Sequence, residues 1–186
     1  MNKNFFQSLK YCIRKLHKKK VIAYPTESIF GLGCDPDSEY AVKKLLFLKN
    51  RSVNKGFIIL SSNYNQLLPY IIEKKILKKK DVLLQNKSFL TYLVPANPRI
   101  PFWLTGNSKF IAVRITKNKF IKNLCLFFGK PIISTSANIS GNKPCINSQE
   151  IKDIFGKNFP ILEGFLGNKK KPSKIINLLT GEKIRG

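Results

Sequence analysis

Short apolar runs alternate along this chain with segments of helical periodicity, and that alternation restricts the fold to an α/β sheet, parallel or mixed. Val21–Tyr24, Phe57–Ser61, Thr91–Val94, Phe110–Ile115, Pro131–Ser134 and Ile175–Leu179 read as strands. Residues 4–19 set Phe5, Leu9, Cys12, Ile13 and Leu16 at helical spacing. Ser38 is placed to cap a helix reaching Lys49, with Ala41, Val42, Leu45, Leu46 and Leu48 toward a core. Asn63 and Asn118 are two further caps, the second opening a helix that ends at Gly129, a residue suited to left-handed closure. Ser148–Phe155 reads as a short helix and Thr180-Gly181 as a turn. Gly31 and Gly33 read as a tight loop, and Glu73–Lys80 as the solvated face of a helix. With no repeat or linker in view, residues 1–186 are expected to form one domain.

The formal charge is +24, and lysine carries most of it, 29 residues against 5 arginines. Two explanations stand side by side. A basic surface attracts nucleic acid through phosphate neutralisation, with tRNA an obvious candidate. Drift toward A- and T-rich codons would equally spread lysine over solvated faces, alongside the abundant Asn, Ile and Phe. Under such pressure a retained arginine is informative, because its planar fork is hard for lysine to replace. Arg51 and Arg114 both sit inside motifs. No apolar stretch approaches the roughly 18 residues of a membrane span, so a soluble cytoplasmic protein is expected. Cys12, Cys34, Cys125 and Cys145 are widely spaced and read as buried thiols. The sole histidine, His17, precedes three lysines and suits a helix end. That excludes Ser-His-Asp and Cys-His mechanisms and argues against structural zinc.

Three polar islands accompany the strands. Tyr24-Pro25-Thr26-Glu27 follows the first. Lys49, Arg51 and Lys55, beside Gly56, precede the second. Ser134, Thr135, Ser136 and Asn138 follow the run Pro131–Ile133. Strand ends in an open α/β sheet are where ligands bind. Three cations in seven residues repel one another unless an anion or solvent intervenes, and such a set can grip a polyphosphate. No GxxxxGK[ST] occurs, so a nucleotide site here would not be a P-loop. The hydroxyls and amide of the third island suit a nucleotide or an amino acid, or equally a turn. Glu27, Asp35, Asp37 and Glu39 could hold magnesium, although Asp37-Ser38 is more simply a cap. Chemistry on such residues would rest on positioning and charge stabilisation, which fits transfer at phosphorus.

Four ordered stretches together resemble the YrdC-like family in its short, single-domain bacterial form. They are Val21-Ile-Ala-Tyr-Pro-Thr-Glu-Ser-Ile-Phe-Gly-Leu-Gly-Cys-Asp-Pro-Asp-Ser38, Leu48-Lys-Asn-Arg-Ser-Val-Asn-Lys-Gly56, Ala112-Val-Arg114 and Ser134-Thr-Ser-Ala-Asn-Ile-Ser-Gly141. The resemblance implies a twisted mixed sheet flanked by helices, with a basic concave groove. It also implies condensation of L-threonine, bicarbonate and ATP to threonylcarbamoyl-AMP and diphosphate, with Mg2+ accompanying ATP. Partner tRNA threonylcarbamoyltransferase proteins would then modify the adenosine beside the anticodon of tRNAs reading A-starting codons; whether this chain touches tRNA itself is left open. By the same resemblance, Lys49, Arg51 and Lys55 would neutralise the triphosphate and act in catalysis. Tyr24, Thr26 and Arg114 would seat threonine, and Ser134, Ser136 and Asn138 would join Lys49 and Arg51 in binding nucleotide. The chain departs from the family at Asn86-Lys87-Ser88-Phe89, where relatives carry Trp-Pro-Gly-Pro, and at Asn118-Lys119, where they carry His-Pro. The alternative reading is a non-catalytic RNA-binding protein with a decayed pocket.

Overall fold

The computed structural model describes residues 3–85, 89–169 and 172–185. Eight strands form one mixed sheet: β1 (Ile22–Pro25), β2 (Phe30–Gly33), β3 (Ile58–Ser61), β4 (Leu90–Pro95), β5 (Phe110–Ile115), β6 (Ile132–Ser136), β7 (Lys174–Asn177) and β8 (Lys183–Arg185). Their spatial order is β1-β2-β6-β3-β5-β4-β7-β8, parallel at β3–β5 and β4–β7 and antiparallel elsewhere. The helices are α1 (Lys3–His17), α2 (Glu39–Lys49), α3 (Lys80–Gln85), α4 (Phe102–Thr105), α5 (Lys119–Phe128) and α6 (Ser148–Phe155).

Side-chain alternation along the strands sorts the core into two layers. Ala23, Ile59, Val113 and Ile133 point to one face, where α2, α4, α6 and the 3-10 turns between β3 and α3 cover the sheet. Ile22, Tyr24, Leu60 and Ile132 point to the other, against α1 and α5. The caps follow the sequence. Ser38 accepts from the Ala41 amide, and Asn118 from the Phe120 and Ile121 amides. Gly129 closes α5 in the left-handed region, at φ 84°. His17 ends α1 with its ring against Phe128. All four thiols are free and buried, and burial pushes Cys12 and Cys125 up to about 12. Among the described residues, no helix is long and apolar enough to cross a membrane.

Three expectations are corrected. Gly31 and Gly33 are strand residues of β2, paired with Tyr24 and Ile22 of β1. A Cβ at either position would lie 2.8–2.9 Å from the fully buried Tyr24 ring, and one at Gly33 would also run into the Ile133 carbonyl. The charge run Glu73–Lys80 is not one helix face but two 3-10 turns and the first residue of α3. Ile76 between those turns is fully buried and breaks the run. The strand expected to end at Ser134 continues, so that Thr135 and Ser136 also belong to β6. The departure at Asn86–Ser88 lies outside the described residues.

Candidate functional site

Helices α1 and α5 cover only part of their face of the sheet. Where the cover stops, adjacent strands place Ser134, Ile58, Ala112 and Leu93 side by side across β6, β3, β5 and β4. This row floors a cavity of about 480 Å³, within the range of small-molecule sites. Arg114 stands one strand step toward the helices, opposite Leu60. Ser136 opposite Gly31 closes one side, and Ser173, Ile184 and Arg185 from the far edge of the sheet close the other.

Three of the chain's five arginines line this cavity: Arg51, Arg114 and Arg185. Asn50, left-handed at φ 46°, ends α2 and turns the chain so that Arg51 leaves the helix toward the cavity. Arg51 Nη2 donates to the Gly56 carbonyl at 3.0 Å, its guanidinium lies 5.3 Å from the Phe57 ring centre, and its Nε is buried without a partner. Gly56 has φ 56°, and a Cβ there would meet the backbone of Leu104 and Thr105, so this loop closes only around glycine. Lys55 adds a further cation. Arg185 Nη2 donates to the Ser173 carbonyl at 3.0 Å. Arg114 Nη2 donates to Glu27 Oε2 at 2.9 Å, its guanidinium lies 4.7 Å from the Phe89 ring centre, and its Nε too is buried and unpaired.

Among the described residues, no carboxylate lines the cavity. The cations therefore press on one another. Desolvation and then Arg185 hold Arg51 below its ordinary value, and desolvation and then Arg114 do the same to Arg185. Arg51 and Arg185, without a carboxylate partner among the described residues, over a floor of small and hydroxyl side chains make an anion receptor.

The structure separates the sequence candidates into two sets. Thr26, Arg51, Lys55, Arg114, Ser134 and Ser136 line the cavity. Lys49, Tyr24 and Asn138 stand behind its wall. Lys49 is 2% exposed, and its Nζ donates to the carbonyls of Ser136 and Asn138 and to Asn138 Oδ1. Asn138 Oδ1 also accepts from Ser136 Oγ at 2.6 Å, while its amide donates to the carbonyls of Ile139 and Asn142. Lys49 and Asn138 thus fix the end of β6 and, with it, the Ser136 hydroxyl. Burial and then Arg51 pull the Lys49 ammonium down to about 8. Tyr24 reaches under β2, its hydroxyl donating to the Ile133 carbonyl at 3.3 Å. Thr26 closes its own turn, Oγ1 donating to the Ile29 carbonyl at 2.7 Å.

The four acids do not form a metal centre. Asp35 and Asp37 pair with Lys130, Glu39 with Lys43, and Glu27 with Arg114. No group of three or more metal-ligating side chains occurs among the described residues. A magnesium ion in this cavity would have to be held by the oxygens of a bound phosphate, water and hydroxyls.

Arg185 and Ser173 went unread in the sequence. The rarity of arginine bears on Arg185 as it does on Arg51 and Arg114, but no motif surrounds it.

Comparison with known proteins extends this geometry. The Sua5_yciO_yrdC family, described as "Telomere recombination", matches residues 14–185. A protein of Buchnera aphidicola (subsp. Schizaphis graminum) named "Threonylcarbamoyl-AMP synthase" is 53% identical, covering 100% of this chain and 99% of its own. A Photorhabdus laumondii protein of the same name is 47% identical over 91% of each chain. The structure of P. abyssi Sua5 complexed with L-threonine superimposes with a TM-score of 0.77 at 25% identity, covering 91% of this chain. This chain spans 50% of that one, about half its length. E. coli YciO shares the fold with a TM-score of 0.73 at 22% identity.

Proposed function

This chain belongs to the Sua5/YciO/YrdC family, and from that premise we propose that it is a nucleotidyltransferase making threonylcarbamoyl-AMP from L-threonine, bicarbonate and ATP. The observation that carries the reading is the cavity in which Arg51, Lys55, Arg114 and Arg185 meet hydroxyl side chains, with no carboxylate in the lining among the described residues. The names of the full-length relatives and the threonine complex of Sua5 support the choice of substrate.

The reaction follows from charge placement. Threonine nitrogen and bicarbonate condense to a carbamate with loss of water. A carbamate oxygen attacks the α-phosphorus of ATP, the bond to the bridging oxygen breaks, and diphosphate leaves with its electron pair. Charge therefore grows on the departing diphosphate, and Arg51, Lys55 and Arg185 neutralise it. Arg114 holds the threonine carboxylate. Ser134 and Ser136 offer hydrogen bonds to nucleotide or carbamate, and Thr26 shapes the wall at the amino-acid end. Lys49, Asn138 and Tyr24 act by holding the backbone that carries these groups. Magnesium arrives with ATP on its phosphates. Partner tRNA threonylcarbamoyltransferase proteins consume the product, in the cytoplasm, to modify the adenosine beside the anticodon of tRNAs reading A-starting codons.

The test is diphosphate release by purified protein with ATP, magnesium and bicarbonate, with and without L-threonine. Release that requires threonine is expected. A folded protein that releases none, and gains no thermal stability from ATP with threonine, would overturn the reading; tight RNA binding by such a protein would favour the non-catalytic alternative.

A further inference from the structure

The cations of the cavity are not equivalent. Among the described residues, Arg114 is the one cavity cation that is ion-paired to a carboxylate. Glu27 and Arg114 are both largely withdrawn from water, with side chains 21% and 7% exposed. Their attraction is therefore screened less than that of a surface pair. Glu27 is also fixed from behind. The Lys169 amide donates to its carbonyl at 2.8 Å, and the Gly167 amide donates to the Thr26 carbonyl. Gly167 packs so closely that a Cβ there would lie 2.9 Å from the Glu27 backbone. On the other side, the Phe89 ring lies against the Arg114 guanidinium.

A single hydrogen bond to Glu27 sets a carboxylate against the charge of Arg114 yet occupies one of its five donors. The unpaired Nε remains. Arg114 can still bind a planar carboxylate through hydrogen bonds, but its pull on a multiply charged anion is largely removed. Arg51 and Arg185 have no such partner among the described residues and keep that pull. We propose that Glu27 is a specificity-determining residue: by neutralising Arg114 it reserves that guanidinium for the amino-acid carboxylate and keeps polyphosphate on Arg51 and Arg185. This rests on the functional reading above, in which one cavity takes both anions. Without Glu27, the diphosphate product would compete for the threonine position.

The test is Glu27→Gln, which removes the charge and keeps one hydrogen-bond acceptor in a side chain of the same size. In the wild type, inorganic diphosphate is expected to compete with ATP and not with threonine. In Glu27→Gln it competes with both, its inhibition constant falls about tenfold, and the apparent threonine KM rises as diphosphate is added. Glu27→Asp, which retains the charge, restores the wild-type pattern in part. An unchanged inhibition pattern in a folded Glu27→Gln protein overturns the proposal. Should that variant fail to fold, Arg114→Gln gives the reciprocal measurement. Diphosphate inhibition of wild-type strength is then expected, and weakened inhibition overturns the assignment. If wild-type protein shows no threonine-dependent turnover, the functional reading is what fails. Calorimetric titration with inorganic diphosphate still tests the electrostatic claim, which predicts tighter binding to Glu27→Gln and is overturned by equal binding.

Discussion

One face of the sheet is two different surfaces, and the change takes a single strand step. On β3, Leu60 lies under α1 and α5, while Ile58 two residues earlier floors the cavity. On β6, Ile132 is covered and Ser134 is open to the cavity. Backbone geometry is the same in both halves. What differs is the cover above and the side chains that meet it: Phe5, Leu9, Leu124 and Phe128 on one side, guanidinium groups on the other. Stability and chemistry are thus divided along a line crossing the strands, and substitutions on the two sides should fail in different ways.

The largest effect expected on the covered side is Leu124→Ala. A fully buried leucine truncated to alanine costs about 2.7–5 kcal/mol, read by urea denaturation, while KM for ATP in the folded fraction stays put. A stable Leu124→Ala protein with altered KM would erase the division. On the open side, Arg51→Ala is expected to cut diphosphate release about 10²–10³-fold, by analogy with loss of one oxyanion donor. Its urea midpoint should hardly move, so unchanged turnover would remove the role assigned to Arg51. Ser134→Ala sharpens the contrast on a smaller scale. Its turnover should fall by about tenfold, the worth of one hydrogen bond, with stability within about 0.5 kcal/mol of wild type. A stability loss as large as that of Leu124→Ala would mean the open half is core after all.

The smallest effect concerns Lys49, which belongs to the open half by function and to the core by burial. Its ammonium is pulled down to about 8 from an ordinary 10.5. The unfolded chain keeps that proton up to the ordinary value and the folded chain does not. Folding therefore releases it between those two pH values, and the contribution of Lys49 to stability rises with pH across that window. An NMR titration of its Nζ should show a midpoint near 8; a midpoint close to 10.5 would refute the shift.

The sequence was most readable where a signal was local. Asn118 and Gly129 bracket α5 because capping chemistry needs only neighbours. It was least readable at β2, where two glycines in four residues argue against a strand. They are explained by the Tyr24 ring that packs from β1 and, at Gly33, by the Ile133 carbonyl as well. The rarity of arginine pointed to Arg51 and Arg114, and both line the cavity. Arg185 escaped because β8 is a three-residue edge strand with no pattern to place it. Proximity in sequence groups Lys49 with Arg51. Yet Val42, Leu45 and Lys49 repeat at helical spacing and share the buried stripe of α2, so its burial was written in the pattern that marked the core. The Glu27–Arg114 pair joins residues 87 positions apart, and no local rule reaches across that interval.

The order of the strands has a kinetic corollary. Gly31 pairs with Ser136 and Leu60 with Arg114, so the cavity floor and wall join segments 105 and 54 positions apart. Contacts of such separation are formed late and slowly in folding. A partly folded chain could hold α1 or α5 and still lack any place for a phosphate. Ligands would then act on the exit rather than the entrance of the native state: bound ATP and threonine should slow unfolding and leave the rate of refolding almost untouched.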